Sequence, residues 1–357
     1  MTRRVLVARL DSIGDVLLAG PAIRAVAGGG TDAQESAEVW MLCGPQGTAA
    51  AHLLPSVHRV LTWDCPWITD PSPQASVAGV AELVRLVAEC APDAAVILTS
   101  FHQSPLPLAL LLRLAGVKHI TGASVDFAGS LLDVRLRPGE DFPEDQPETH
   151  RALAIAAAAG FRLPSGDDGR LAVLPPPQTT ALTGPAPYLV VHPGSLAPSR
   201  TWPPGHFREA VQLLGTRGYR IVVTGSESER QLTAAVAGTD GADLGGRLSL
   251  RELSAVLAGA GVVITGNTGP AHLAAAVGTP VVSLFSPVVP AVRWAPYGVA
   301  REILGDQEAA CRDTRARVCP VPEHPCLAGV TPAAAVTAAL ALLARTSIAR
   351  TRIEGVA

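Results

Sequence analysis

Two stretches of this sequence set chemically useful side chains at the ends of apolar runs. Asp11-Ser12-Ile13-Gly14-Asp15 follows Val5-Leu6-Val7 and precedes Val16 to Val26, where Val16, Leu17, Ala19, Ile23 and Val26 make a helical apolar stripe. A carboxylate at such a β-to-α turn can serve as a general base, or can cap the helix and balance its dipole, and both readings of Asp15 stand. The second stretch runs from Val262 to Pro287. Thr265-Gly266-Asn267-Thr268-Gly269-Pro270 separates the apolar run Val262-Val263-Ile264 from an Ala-rich helix, Ala271 to Val277, that Gly278 stops before a strand at Val281 to Phe285. Thr268, the Gly269 amide and His272 then surround a helix N-terminus, where unsatisfied N–H groups and the dipole can hold a phosphate. An ordinary turn with Asn267 or Thr268 as N-cap, and His272 bonded to a local carbonyl, is the alternative.

Two further turns carry related groups. In the loop His192 to Pro203, Gly194 and Ser195 permit close backbone approach and Arg200 offers a fixed cation for phosphate oxygens, unless it lies on the surface beside Trp202. Thr224-Gly225-Ser226-Glu227 repeats the pattern one unit later. Three Gly turns at strand ends point to a nucleotide site. No G-x-G-x-x-G or Walker pattern follows any strand, no Asp-x-Asp pair is present to hold a divalent ion, and there is no G-x-S-x-G elbow. A diphosphate would be neutralised by backbone N–H groups and arginine, with neither metal nor cofactor.

The elements that must position these residues alternate. Strands are predicted at Arg4 to Leu10, Glu38 to Cys43, Val57 to Trp63, Ala94 to Ser100 and His119 to Gly122, with helices at Ala75 to Cys90, Pro105 to Ala115 and Thr149 to Ala159. After a Pro- and Thr-rich linker, Leu174 to Pro187, come strands at Tyr188 to His192 and Arg220 to Thr224, and helices at Pro203 to Gly215, Glu227 to Ala237 and Leu250 to Ala258. This is an α/β chain of two doubly wound, parallel-sheet domains, 1–174 and 188–331, with a last helix, 332–346, free to pack back on the first domain.

Composition fits. The 357 residues suffice for two cores, 48% are hydrophobic and 17% charged, and a net charge of −3 gives no overall basic field for nucleic acid or anionic lipid. Arg9, Asp11 and Asp15 interrupt the N-terminal apolar run too early for a signal peptide, and Pro332 to Ala344 is shorter than a membrane span, so a cytoplasmic protein without a transmembrane segment is expected. Cys43, Cys65 and Cys90 read as isolated reduced thiols. Cys311, Cys319 and Cys326, with His324, lack the paired knuckle spacing of a zinc site.

Leu10-Asp11-Ser12-Ile13-Gly14-Asp15-Val16, His192-Pro193-Gly194 with Arg200-Thr201-Trp202-Pro203, and Thr268-Gly269-Pro270-Ala271-His272-Leu273-Ala274-Ala275-Ala276 together resemble glycosyltransferase family 9, the heptosyltransferases of lipopolysaccharide core assembly. The resemblance implies a GT-B fold of two Rossmann-like domains facing across a cleft. It also implies metal-independent inverting transfer of a heptose or related sugar from a nucleoside-diphosphate donor, ADP-linked in the known members, to a carbohydrate or natural-product acceptor. By the same likeness Asp15 is the catalytic base, next to Gly14. Arg200 stands where the family usually has a lysine facing the donor phosphates, and Glu227 or Glu229 falls near its ribose-contacting glutamate. Gly194, Ser195, Gly225, Thr268, Gly269 and His272 complete the expected donor site. The sequence departs at Asn267, where the family has an aspartate that touches the donor sugar, which implies a different sugar or a different hold on it. A sugar-nucleotide epimerase and a non-catalytic nucleotide-sugar binding module are the alternatives on this fold.

Overall fold

The computed structural model describes residues 3–29 and 36–354, the side chains as far as 345. The chain divides into two compact units, Met1–Leu174 and Pro175–Ala357. The first holds β1 (Arg3–Arg9), β2 (Ala37–Cys43), β3 (Val57–Thr62), β4 (Ala94–Ile97), β5 (His119–Ala123) and β6 (Val134–Leu136), ordered β3-β2-β1-β4-β5-β6. The second holds β7 (Tyr188–His192), β8 (Ile221–Val223), β9 (Ala242–Asp243), β10 (Ala260–Gly266), β11 (Val281–Leu284) and β12 (Arg301–Leu304), ordered β12-β11-β10-β7-β8-β9. Every pairing in both sheets is parallel.

A parallel sheet covered by helices buries its central strands on both faces, which explains their unbroken apolar runs. Val5, Leu6 and Val7 of β1, and Val262, Val263 and Ile264 of β10, are fully buried. The three strands that the sequence did not announce, β6, β9 and β12, are a Val-Arg-Leu, an Ala-Asp and an Arg-Glu-Ile-Leu at sheet positions where one or both faces stay wet. Such short polar segments carry no apolar periodicity.

Three other expectations change. The helix read from Val16 to Val26 is two, Ile13–Leu18 and Gly20–Ala27, because Pro21 tolerates only a first helical turn and so restarts the helix. The linker from Leu174 to Pro187 includes one helical turn, Thr180–Thr183, with Thr179 and Thr183 buried. The last helix, Pro332–Glu354, was free to return to the first unit, yet Ala335, Val336, Ala339 and Leu342 are part of the second unit's own core with Trp202, Phe207 and Val262. Among the described residues no helix is long and apolar enough to cross a membrane.

In each sheet the first strand of the unit lies between two neighbours reached by opposite turns of the chain. β1 sits between β2 and β4, and β7 between β8 and β10. The crevice at the carboxyl ends of such strands is where open α/β sheets bind ligands. The turns singled out in the sequence leave the ends of β1, β7, β8 and β10.

Candidate active site

At the β1 end the organising group is Arg9, the last residue of the strand, which is 3% exposed. Its Nη2 donates to Asp15 Oδ1 at 2.9 Å and to Ser100 Oγ at 2.7 Å, while Nη1 and Nη2 both donate to Glu148 Oε2 at 3.3 Å. Its Nε lies 2.7 Å from Asp11 Oδ2, an ion pair without hydrogen-bond alignment. Ser100 and Gln103 follow β4, and Gln103 Nε2 donates to Asp11 Oδ1. Burial alone would lower the Arg9 pKa, but the attraction of Asp11, Asp15 and Glu148 outweighs it and raises the value. Burial and the charge of Asp15 raise Asp11 to about 6 against the pull of Arg9, and burial likewise raises Glu148.

Asp15 lies in the first turn of Ile13–Leu18, whose N-cap is Ser12, and Ser12 Oγ donates to Asp15 Oδ2 at 3.0 Å. The carboxylate is thus tied to a side-chain hydroxyl and a guanidinium, and it keeps 18% exposure. Gly14 is buried beside it.

In the second unit, His192 at the end of β7 shares a 3.0 Å hydrogen bond through Nδ1 with Thr224 Oγ1. Burial lowers its pKa to about 4, against an upward pull from Glu229, so the imidazole is neutral near pH 7. Glu229 closes a capping box in which its Oε2 accepts from Ser226 N at 2.7 Å. A Cβ on Gly194 would sit 2.0 Å from that carboxylate, so only glycine leaves room for Glu229 over the β7 end. Glu227 points elsewhere, into an exposed 2.9 Å pair with Arg230. Between the two glutamates left open by the sequence, the structure brings Glu229 to Gly194 and Gly225. Ser195 Oγ accepts from Ala197 N within its own turn.

Arg200 ends the 3₁₀ turn Pro198–Arg200, and its carbonyl oxygen would lie 2.7 Å from a Cβ on Gly266. Gly266 therefore lets the β7 loop press against the β10 end and brings Arg200 beside the Asn267-Thr268-Gly269 turn. The loop is anchored by Trp202, fully buried, whose Nε1 donates to Val330 O at 3.0 Å and whose ring meets Phe207 edge-on. Trp202 is a core anchor, so an Arg200 at the surface would have no exposed indole beside it. Thr268 occupies the N-cap of Gly269–Ala276, Pro270 lies in its first turn, and His272 is 5% exposed.

Asn267 is engaged with the neighbouring strand end. Its Nδ2 donates to Ser286 O at 3.4 Å and its Oδ1 accepts from Ser286 N at 3.3 Å, clasping the β10 and β11 ends together, and it is 4% exposed. Cys311 and Cys326 are buried in the second core, and among the described residues no group of three or more His, Cys, Asp or Glu is placed to hold a metal ion.

The profile of glycosyltransferase family 9 (heptosyltransferase) matches residues 81–324, more than half of the 357. The chain belongs to this family. Lipopolysaccharide heptosyltransferase 1 of Pseudomonas aeruginosa is 38% identical over 122 residues, 34% of each chain. The chain thus aligns with about a third of that relative's length. Lipopolysaccharide heptosyltransferase 1 of Escherichia coli O18:K1:H7 is 28% identical over 305 residues, 80% of this family 9 chain and 87% of the relative. Among solved structures, a family 9 glycosyltransferase from Veillonella parvula superposes with a TM-score of 0.76 at 16% identity, covering 96% of this chain and 98% of that one. E. coli ADP-heptose heptosyltransferase II gives 0.71 at 20% identity, covering 96% and 99%. The fold is the GT-B fold of these enzymes, as the sequence motifs implied.

Proposed function

We propose that this family 9 protein is a metal-independent, inverting glycosyltransferase that moves a heptose or related sugar from an ADP-linked donor to an acceptor hydroxyl. The observation that carries the reading is the Asp15 carboxylate, tied by Ser12 and Arg9 at the end of the central strand of its sheet and still open to a substrate. Asp15 takes the proton of the acceptor hydroxyl as that oxygen attacks the anomeric carbon from the face opposite the diphosphate, which inverts the centre. Negative charge grows on the leaving diphosphate, where Arg200, the amides at the start of Gly269–Ala276 and His272 stabilise it. Glu229, packed over Gly194, is the group for the donor ribose. A heptosyltransferase of E. coli solved with ADP-2-deoxy-2-fluoro heptose, at 22% identity, supports the choice of donor class.

The guanidinium of Arg9 is the cation on which Asp11, Asp15 and Glu148 converge, so these carboxylates neither need nor make room for a divalent ion. The test is ADP release from ADP-heptose with and without a lipopolysaccharide-core acceptor. Release that depends on acceptor, survives EDTA and falls about 10²-fold or more in Asp15→Asn is expected. Donor turnover without acceptor would indicate an epimerase, and no turnover a binding module. Full activity in Asp15→Asn would remove the base assignment.

A further inference from the structure

The β1 cluster contains more acid than a clamp for one base needs. Three carboxylates share one cation. Nη2 of Arg9 has two hydrogens and three acceptors, Asp15, Ser100 and Glu148, while Nε faces Asp11. Arg151, on the same helix as Glu148, does not make up the deficit, because it is itself paired with Glu144 at 2.8 Å and donates to Thr99 O. The groups around Asp15 and its guanidinium include Arg9 from β1, Asp11 and Ser12 from its own turn, Ser100 with Gln103 after β4, and Glu148, backed by Arg151, from the helix Glu148–Ala158. Each is built in: Arg9 and Glu148 have 3% and 1% side-chain exposure and Asp11 12%.

A lone aspartate on an arginine is a poor general base, since the cation favours its ionised form and weakens its hold on a proton. We propose that Asp11 is a positioning residue for the transfer reaction, a second carboxylate on the Arg9 guanidinium whose charge offsets that cation and keeps Asp15 basic enough to accept the hydroxyl proton. Two carboxylates that share one guanidinium, Asp11 at Nε and Asp15 at Nη2, repel each other, and the repulsion is reciprocal. The charge of Asp15 contributes to the rise of Asp11 to about 6, after burial, and the same interaction must act on Asp15. Asp11 also holds the turn, through Gln103 on one oxygen and Arg9 on the other. Glu148 acts in the same sense at Nη1 and Nη2, but at 3.3 Å it is a looser partner of Arg9 than Asp11 at 2.7 Å.

This inference rests on the reading of Asp15 as the base, and the experiment separates the two. The pH dependence of kcat and of donor KM is measured for the wild type, Asp11→Asn and Glu148→Gln, and the carboxyl carbons are titrated by ¹³C NMR in the same proteins. Asp11→Asn should move the acid limb of kcat to lower pH by about one unit, lower the plateau about threefold because Asp15 becomes a weaker base, and leave donor KM within about twofold. A merely structural residue would lower the plateau and leave the limb in place, and that result would overturn the proposal. Glu148→Gln should move the limb the same way by less. Should Asp11→Asn not fold, the wild-type titration decides: Asp15 titrating in two steps, one of them following Asp11, supports the pair, and a single independent step overturns it. Full turnover in Asp15→Asn would cancel the base reading, while the carboxyl titration would still decide whether the two aspartates are coupled.

Discussion

The two units have one topology and opposite electrostatics. In both, the crevice opens beside the first strand of the unit, β1 or β7, and the residue that closes that strand is basic and buried. Arg9 is charged and draws three carboxylates around it, whereas His192 is neutral and meets a hydroxyl. Buried charge survives only with partners, so the first crevice had to become a network. The second meets its buried polar groups with uncharged clasps, Asn267 on Ser286 and His192 on Thr224, beside the single Glu229 carboxylate over Gly194. One framework thus carries a buried ionic network in one unit and neutral hydrogen-bonded pairs in the other.

Removing the charge that organises the first crevice is the harshest way to break this contrast. Arg9→Met leaves Asp11, Asp15 and Glu148 without their cation and should cost about 3–5 kcal/mol of stability, read by chemical denaturation at pH 7.5. A loss below about 1 kcal/mol would mean that the carboxylates need no common partner.

The neutral imidazole of the second crevice has a pH signature. The His192 pKa of about 4 lies below the unfolded value near 6.5, so between these values the unfolded chain binds the extra proton and stability is lost as pH falls through that window. The loss should reach about 3 kcal/mol at pH 4 and vanish above pH 7. Asp11, raised to about 6, works with the opposite sign, because its stabilisation is present at low pH and lost as pH rises through 6. Comparing His192→Gln with the wild type isolates the histidine; parallel stability curves from pH 7 to 4 would refute its buried neutral state.

Arg200→Ala should weaken ADP binding by about 1.5–3 kcal/mol, the range of a charged hydrogen bond, without changing the fold. Calorimetry with unchanged affinity would place Arg200 outside the donor site. The smallest effect is expected at Asn267→Asp, which keeps the acceptor for Ser286 N–H and sets a second acceptor against Ser286 O. A stability loss of about 1–2 kcal/mol with the same ranking of ADP-, GDP- and UDP-sugars follows from the clasp. A changed donor ranking would return Asn267 to direct contact with the sugar.

What the sequence determined by itself was local. The apolar runs of β1, β7 and β10 need burial on both faces, and the turns after them need glycine or a helix start, so fold class and motifs were legible from the order of residues. Arg9 was visible as the last residue of β1 but carried no signal of its task, and Glu148, 139 positions away, carried none at all. Tertiary structure alone decided which groups meet: Glu229 instead of Glu227 over Gly194, Asn267 on Ser286, Asp11 on the guanidinium that holds Asp15, and the last helix in the second core. The reason is physical. Periodicity and turn chemistry act over a few neighbours, whereas a buried charge is satisfied by whatever the packed sheet brings within 3 or 4 Å of it, roughly hydrogen-bond and ion-pair range, regardless of separation along the chain.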